Sequence, residues 1–191
     1  MAAKNSTMLA LGTPAPDFSL PDFDGTVHER SDFNSASGLV VAFICNHCPF
    51  VKHVRGEFAK FASEYQSKGI AVIAINSNDL QIYPQDGPAG MKQEALSAGY
   101  TFPYLLDESQ SIAKAYQAAC TPDFYLFDQQ QKLVYRGQFD SSRPGNGHPV
   151  TGKDLRNAVD ALLQGKFIGA DQLPSIGCNI KWRAGNEPLY A

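Results

Sequence analysis

The chain has 191 residues, enough to bury a core as one domain (1–191) without covalent staples. Its 18% charged and 43% hydrophobic residues exclude a disordered composition, and a net charge of -3 gives no electrostatic reason to expect nucleic acid or an anionic membrane as partner. No apolar run approaches the roughly 20 residues that cross a bilayer. The opening Met1 to Met8 lacks the apolar core of a secretory signal, so a cytoplasmic location is expected.

In chain order, residues 1–13 carry no pattern and are expected to be loose. Two short extended pieces around Asp24-Gly25 predict a β-hairpin, an extension ahead of the main sheet. The run Leu39-Val40-Val41-Ala42-Phe43-Ile44 predicts a central strand. It leads into Cys45-Asn46-His47-Cys48, behind which Val51, Val54, Phe58, Phe61 and Tyr65 share one helix face. Gly69 stops that helix. Ile70 to Ile75 is a second continuous apolar run, of the kind found in parallel strands covered on both faces.

The turn formers from Tyr83 to Pro88 predict an irregular loop, followed by a helix over about 89–98. Phe102 to Asp107 is short and extended. Ser109 is expected to cap a helix running to Ala119, with Ile112, Ala115 and Tyr116 inward. Asp123–Phe127 and Lys132–Gly137 flank a polar turn and predict an antiparallel hairpin. A Gly- and Pro-rich loop follows, and Thr151 with Asp154 opens a last helix in the manner of a capping box. The tail 166–191 has no clear periodicity. This alternation predicts an α/β fold with a central mixed sheet flanked by helices.

Chemistry concentrates at the C-x-x-C. A strand that delivers two thiols to a helix N-terminus sets the sulfurs where the helix dipole and free N–H groups favour a thiolate. Four cysteines (Cys45, Cys48, Cys120, Cys178) are too few and too unevenly spaced for a disulfide scaffold, so the close pair is catalytic or metal-binding. Cys45 is expected to attack, as the more exposed thiol, and Cys48 to resolve. His47, between them, can stabilise a thiolate as an imidazolium. His53 and Arg55 read as solvated surface.

Three stretches carry a family resemblance: Pro14-Ala15-Pro16-Asp17-Phe18-Ser19-Leu20, the strand–Cys45-Asn46-His47-Cys48–helix, and Thr121-Pro122 before a hairpin strand. Together they span about residues 9–165. On them the chain resembles the thioredoxin superfamily, in its peroxiredoxin-like (alkyl hydroperoxide reductase / thiol-specific antioxidant) branch. The tail Ser175 to Trp182 looks like that of peroxiredoxin-like proteins carrying a C-x-x-C. The resemblance implies a thioredoxin-like fold and a thiol–disulfide oxidoreductase. Its substrate would be a protein disulfide or a peroxide, a thiol reductant would regenerate it, and no cofactor or resident metal is needed. It also implies that Thr121-Pro122 is a cis peptide facing the cysteines and forming part of the substrate groove, with Cys120 close to Cys45.

Two departures stand out. A peroxiredoxin site has Thr or Ser three residues before its reactive cysteine, and relative to Cys48 that position is Cys45. The acidic residue that thioredoxins place six positions before their first cysteine is Leu39 here, with no obvious buried proton acceptor in its stead. Arg136, on a late strand, reads as a surface residue rather than a peroxide-polarising one. Cys178 is either a distal resolving thiol or idle, and Cys120 either a buried apolar side chain or a third redox group. A soft-metal site drawn from Cys45, Cys48, His47, Cys120 and Cys178 is the competing reading. Oligomeric state is not legible.

Overall fold

The two continuous apolar runs form the centre of a five-stranded sheet. In the computed structural model, which describes residues 3–190, the strands are β1 (Ala3–Asn5), β2 (Ser19–Pro21), β3 (Val27–Glu29), β4 (Gly38–Phe43), β5 (Ile70–Asn76), β6 (Tyr104–Leu106), β7 (Cys120–Thr121), β8 (Asp123–Asp128), β9 (Leu133–Gly137) and β10 (Ile176–Asn179). The helices are α1 (Pro49–Gln66), α2 (Pro88–Ala98), α3 (Ser111–Ala115) and α4 (Lys153–Leu163). The main sheet has the order β6-β5-β4-β8-β9. Its first three strands are parallel and the β8–β9 hairpin joins antiparallel to β4. This is the thioredoxin-like mixed sheet that the resemblance implies.

Every residue of β4 is buried, because both faces of the sheet are covered. On one face Val40, Ala42 and Ile44 pack under α1, α2 and α4, with Phe58 stacked edge-on to Phe124 at 5.3 Å. On the other, Leu39, Val41 and Phe43 meet Tyr116, Tyr125 and the N-terminal segment. The predicted α1 stripe of Val51, Val54, Phe58, Phe61 and Tyr65 is buried as a set. Pro49 sits in the first turn of α1, where a missing N–H costs nothing. No helix among the described residues is long and apolar enough to cross a membrane.

Several local expectations are corrected. Of the segment 1–13, residues 1 and 2 lie outside the described residues, and the rest is not loose. β1 pairs with β10, and Gly12, Thr13 and Ala15 exchange backbone hydrogen bonds with Leu133 and Gln131 along the sheet's edge. The helix expected from Ser109 to Ala119 shortens to Ser111–Ala115, with Gln110 at its N-cap and Ala113 and Tyr116, not Ala115, as its buried residues. The last helix starts at Gly152 without the expected box. Asp140 accepts the Thr151 and Gly152 amides instead, each at 2.6 Å.

The tail is not patternless in space. β10 lies between β1 and β7 in a separate three-stranded sheet. Its start is fixed by Ser175, whose hydroxyl donates to the Gly137 carbonyl at 2.6 Å. Its end is fixed where the Asp79 amide donates to the Lys181 carbonyl at 2.8 Å. Short Gly-interrupted strands of this kind have too few residues to show period two.

Candidate active site

β4, the central strand, delivers the chain to Cys45 just past its C-terminal end, and Cys48 becomes the N-cap of α1. Both sulfurs are covered: Cys45 is 1% and Cys48 0% exposed. The expected difference in exposure is therefore absent, and the two thiols differ in electrostatics instead. The Thr121-Pro122 bond is cis, as implied, and Thr121 spans both sulfurs. Its hydroxyl lies 3.5 Å from Cys45 Sγ, and its carbonyl accepts from the Cys48 thiol at 3.2 Å.

The pair shares a proton. The Cys45 thiol donates to Cys48, and with Cys178 and Thr121 that pulls Cys48 down to about 5 against the opposing effect of burial. Cys45 is pushed well above the usual thiol range by the same bond, by burial and by the neighbouring Asp86 charge. Of the two thiols Cys48 is therefore the first to ionise and Cys45 the last, and the protonated Cys48 finds an acceptor in the Thr121 carbonyl. Cys45 needs a base.

Asp86 is the residue that sequence reasoning missed. The loop 83–88 is not irregular but folds as a single helical turn over Pro84–Asp86, and Asp86 is fully buried there. Its Oδ1 accepts the Asn46 amide at 2.9 Å. Its Oδ2 accepts His47 Nδ1 at 2.6 Å and the Asn78 side-chain amide at 2.8 Å. Tyr83, from the same loop, stacks on the His47 ring at 4.7 Å.

His47 Nδ1 faces the carboxylate, and its Nε2 is buried without a partner among the described residues. A ring nitrogen of His47, an Asp86 oxygen and Cys45 Sγ lie within 4.8 Å of one another. This sets a thiol near an imidazole whose orientation a buried acid fixes. The buried acid absent at Leu39 is supplied from this loop, as Asp86. A signal existed in the sequence, an acid in a Pro- and Gly-flanked turn, but nothing in it said which strand end the turn would face.

The structure brings Cys178 into the same buried cluster as Cys45 and Cys48. Cys120 is buried with its thiol directed to the Pro122 carbonyl at 3.7 Å, and burial pushes it well above the thiol range. That fits the apolar reading better than a redox one. Arg136 is committed elsewhere, its Nε donating to the Leu9 carbonyl at 2.9 Å and its Nη1 to Gln172 at 2.8 Å. His53 and Arg55 are not free surface. His53 meets the Ser142 hydroxyl at 2.7 Å, and Arg55 grips Glu94 at 2.8 and 3.1 Å.

Of the soft ligands in the competing metal reading, Cys45 and His47 come together with Asp86 closely enough to share an ion, whereas Cys48, Cys120 and Cys178 do not join that set. Beside His47 an open cleft of about 480 Å³ is lined by Asn46, Lys52, Arg55 and Gln93.

Comparison with known proteins places the chain in a family. The AhpC/TSA family model matches residues 11–136, more than half of the chain. The chain belongs to the AhpC/TSA family. A thiol-disulfide oxidoreductase ResA of Geobacillus thermodenitrificans is 25% identical over 127 residues, 66% of this chain and 68% of the relative. The crystal structure of a hypothetical protein from Sinorhizobium meliloti is 56% identical, with a TM-score of 0.93, and covers 95% of this chain and 99% of that one. A thiol:disulfide interchange protein of the thioredoxin family from Chlorobium tepidum is 17% identical. Its TM-score of 0.62, over 81% of this chain and 98% of that one, shows the shared fold. The AhpC/TSA match ends before β10, so Cys178 lies outside the matched region.

Proposed function

We propose that this protein is a thiol–disulfide oxidoreductase that cycles Cys45 and Cys48 between dithiol and disulfide. The observation that carries the reading is the buried Cys45–His47–Asp86 cluster beside the low-pKa Cys48. The His47 ring takes the Cys45 proton while Asp86 holds the ring and offsets the imidazolium charge. The Cys45 sulfur attacks one sulfur of the incoming disulfide, and the other leaves with a proton. A mixed disulfide through Cys45 results. The Cys48 thiolate then attacks Cys45 Sγ, which breaks the mixed bond, forms Cys45–Cys48 and releases the reduced substrate. At that stage Cys45 no longer donates to Cys48, and Cys178 and Thr121 are the side-chain donors that still favour its thiolate.

The cleft beside His47 supports approach from that side. Reduction by a thiol reductant closes the cycle, which suits a reducing compartment such as the cytoplasm. The relatives named as thiol-disulfide oxidoreductases support the same reaction class. Peroxide reduction is the second reading, favoured by the AhpC/TSA membership. Against it stand the commitment of Arg136 to Leu9 and the presence of Cys45 where the peroxide-binding hydroxyl would be.

The test is reduction of insulin disulfides against consumption of hydrogen peroxide by the reduced protein. Disulfide reduction that vanishes in Cys45→Ser, with a trapped mixed disulfide in Cys48→Ser, is the expected result. Peroxide turnover that exceeds disulfide reduction and survives in Cys45→Ser would overturn it.

A further inference from the structure

The reaction above uses two sulfurs, yet a third is built against them. β10 pairs antiparallel with β7, and the register sets Cys178 opposite Thr121, the residue whose carbonyl lies 3.2 Å from Cys48 Sγ. The approach is unusually close. A Cβ on Gly177 would fall 2.0 Å from the Thr121 oxygen and 3.1 Å from Pro122 N, so only glycine lets the strand sit there. On its other edge β10 is paired by β1, with Ala3 opposite Cys178. Beyond its end, the Lys181 amide donates at 2.9 Å to Asn78, which in turn donates to Asp86. The thiol is 3% exposed, in one apolar cluster with Cys45 and Cys48. An idle cysteine needs none of this clamping.

We propose that Cys178 is a third redox thiol and that Cys48 is the shared partner of two alternative disulfides, Cys45–Cys48 and Cys48–Cys178. Resting on the reading above, the step is an internal exchange. Cys178 Sγ attacks Cys48 Sγ, so the Cys48–Cys178 bond forms and the Cys45–Cys48 bond breaks. Cys45 leaves as a thiolate and takes up the proton that Cys178 gives up, with His47 beside it as carrier. No electrons leave the molecule, and no outside oxidant is required.

The effect is to free the attacking thiol while the oxidised pair moves onto the tail strand. Electrostatics favour that order. In the reduced protein burial and the Cys48 charge push Cys178 up to about 12, which keeps it a neutral donor. Once Cys48 is in a disulfide its charge is gone, and only burial still opposes ionisation of Cys178. The cis-Pro edge, which the family resemblance implies as substrate groove, is thus occupied by the protein's own strand with a cysteine at its centre.

The test maps disulfides by proteolysis and mass spectrometry after limiting oxidation with oxidised dithiothreitol and quenching with N-ethylmaleimide. It uses wild type, Cys45→Ser and Cys178→Ala, with insulin reduction by the wild type measured alongside. The expected result is two linkages in the wild type, Cys45–Cys48 and Cys48–Cys178, and Cys48–Cys178 alone in Cys45→Ser. Cys178→Ala keeps Cys45–Cys48 only. If the wild type reduces insulin and yields only Cys45–Cys48, and Cys48 and Cys178 stay alkylatable in Cys45→Ser, the relay is wrong and the dithiol reading stands. If the wild type forms no internal disulfide and reduces no insulin, both are wrong.

Discussion

His47 Nδ1 and Asp86 Oδ2 lie 2.6 Å apart, and this contact fixes which nitrogen of the ring is free to take a proton. The carboxylate is fully buried and also holds the Asn46 amide, so the loop bearing the cysteines and the turn bearing the acid are one unit. Base strength at Cys45 then follows from the orientation of a single imidazole.

Replacing that ring tests the assignment. In His47→Gln, and less severely in Asp86→Asn, kcat/KM for disulfide reduction is expected to fall about 10²-fold, the usual yield of one general base. The rise of rate with pH that reports the base should also flatten in His47→Gln. A rate within about threefold of wild type, with an unchanged pH profile, would remove His47 from the mechanism.

The resident thiolate has a pH signature. Ultraviolet thiolate absorbance of the reduced wild type should report one ionisation near pH 5, the value to which its hydrogen-bond donors draw Cys48. Cys48→Ser should lack that ionisation, whereas Cys45→Ala should move it upward because the first of those donors is gone. A low ionisation that persists in Cys48→Ser would place the charge on another sulfur.

Asp123, directly after the cis proline, is fully buried, and burial raises its carboxyl to about 8. Its Oδ2 accepts the Tyr125 hydroxyl at 3.0 Å while Oδ1 has no partner. Between the unfolded value of 3.8 and 8 the folded state binds the proton that the unfolded state has released. Stability from this group is therefore complete below about pH 4 and drains away as pH rises toward 8. Asp123→Asn should flatten that slope and stabilise the protein at pH 7 by on the order of a few kcal/mol. Chemical denaturation of both proteins at pH 5 and pH 8 reads it, and equal slopes would refute it.

Gly177→Ala drives a methyl group into the Thr121 carbonyl, 2.0 Å from where its Cβ would sit. The strand must shift, at a cost of about 1–3 kcal/mol by analogy with overpacked cores. The sulfur cluster should open with it, seen as faster alkylation of Cys178. Thermal melting and thiol labelling that match the wild type would show that β10 tolerates the displacement.

Much of this was readable from residue pattern, and the failures have physical causes. β4, β5 and α1 announced themselves because each buries a long apolar run or stripe, and period is a property of length. β7 and β10 are two and four residues long, so neither could show one. The C-x-x-C located the sulfurs correctly, but the acid that orients His47 lies 39 residues on, in a turn whose destination only tertiary packing decides. Exposure was misjudged for a related reason. The cover over Cys45 and Cys48 comes from a tail segment with no periodic signal of its own.

That cover has a bearing on how the protein is made. Ala3 faces Cys178 across a strand pair, and Cys178 faces Thr121 across the next, so the lid over the sulfurs is stitched from segments far apart in the chain. Contacts of such long sequence separation must overcome the largest loop-closure entropy and form late. A growing chain therefore carries two thiols at the head of α1 before the strand that shelters them has been synthesised. During that interval both are open to any disulfide in their surroundings, and the docking of β10 ends it.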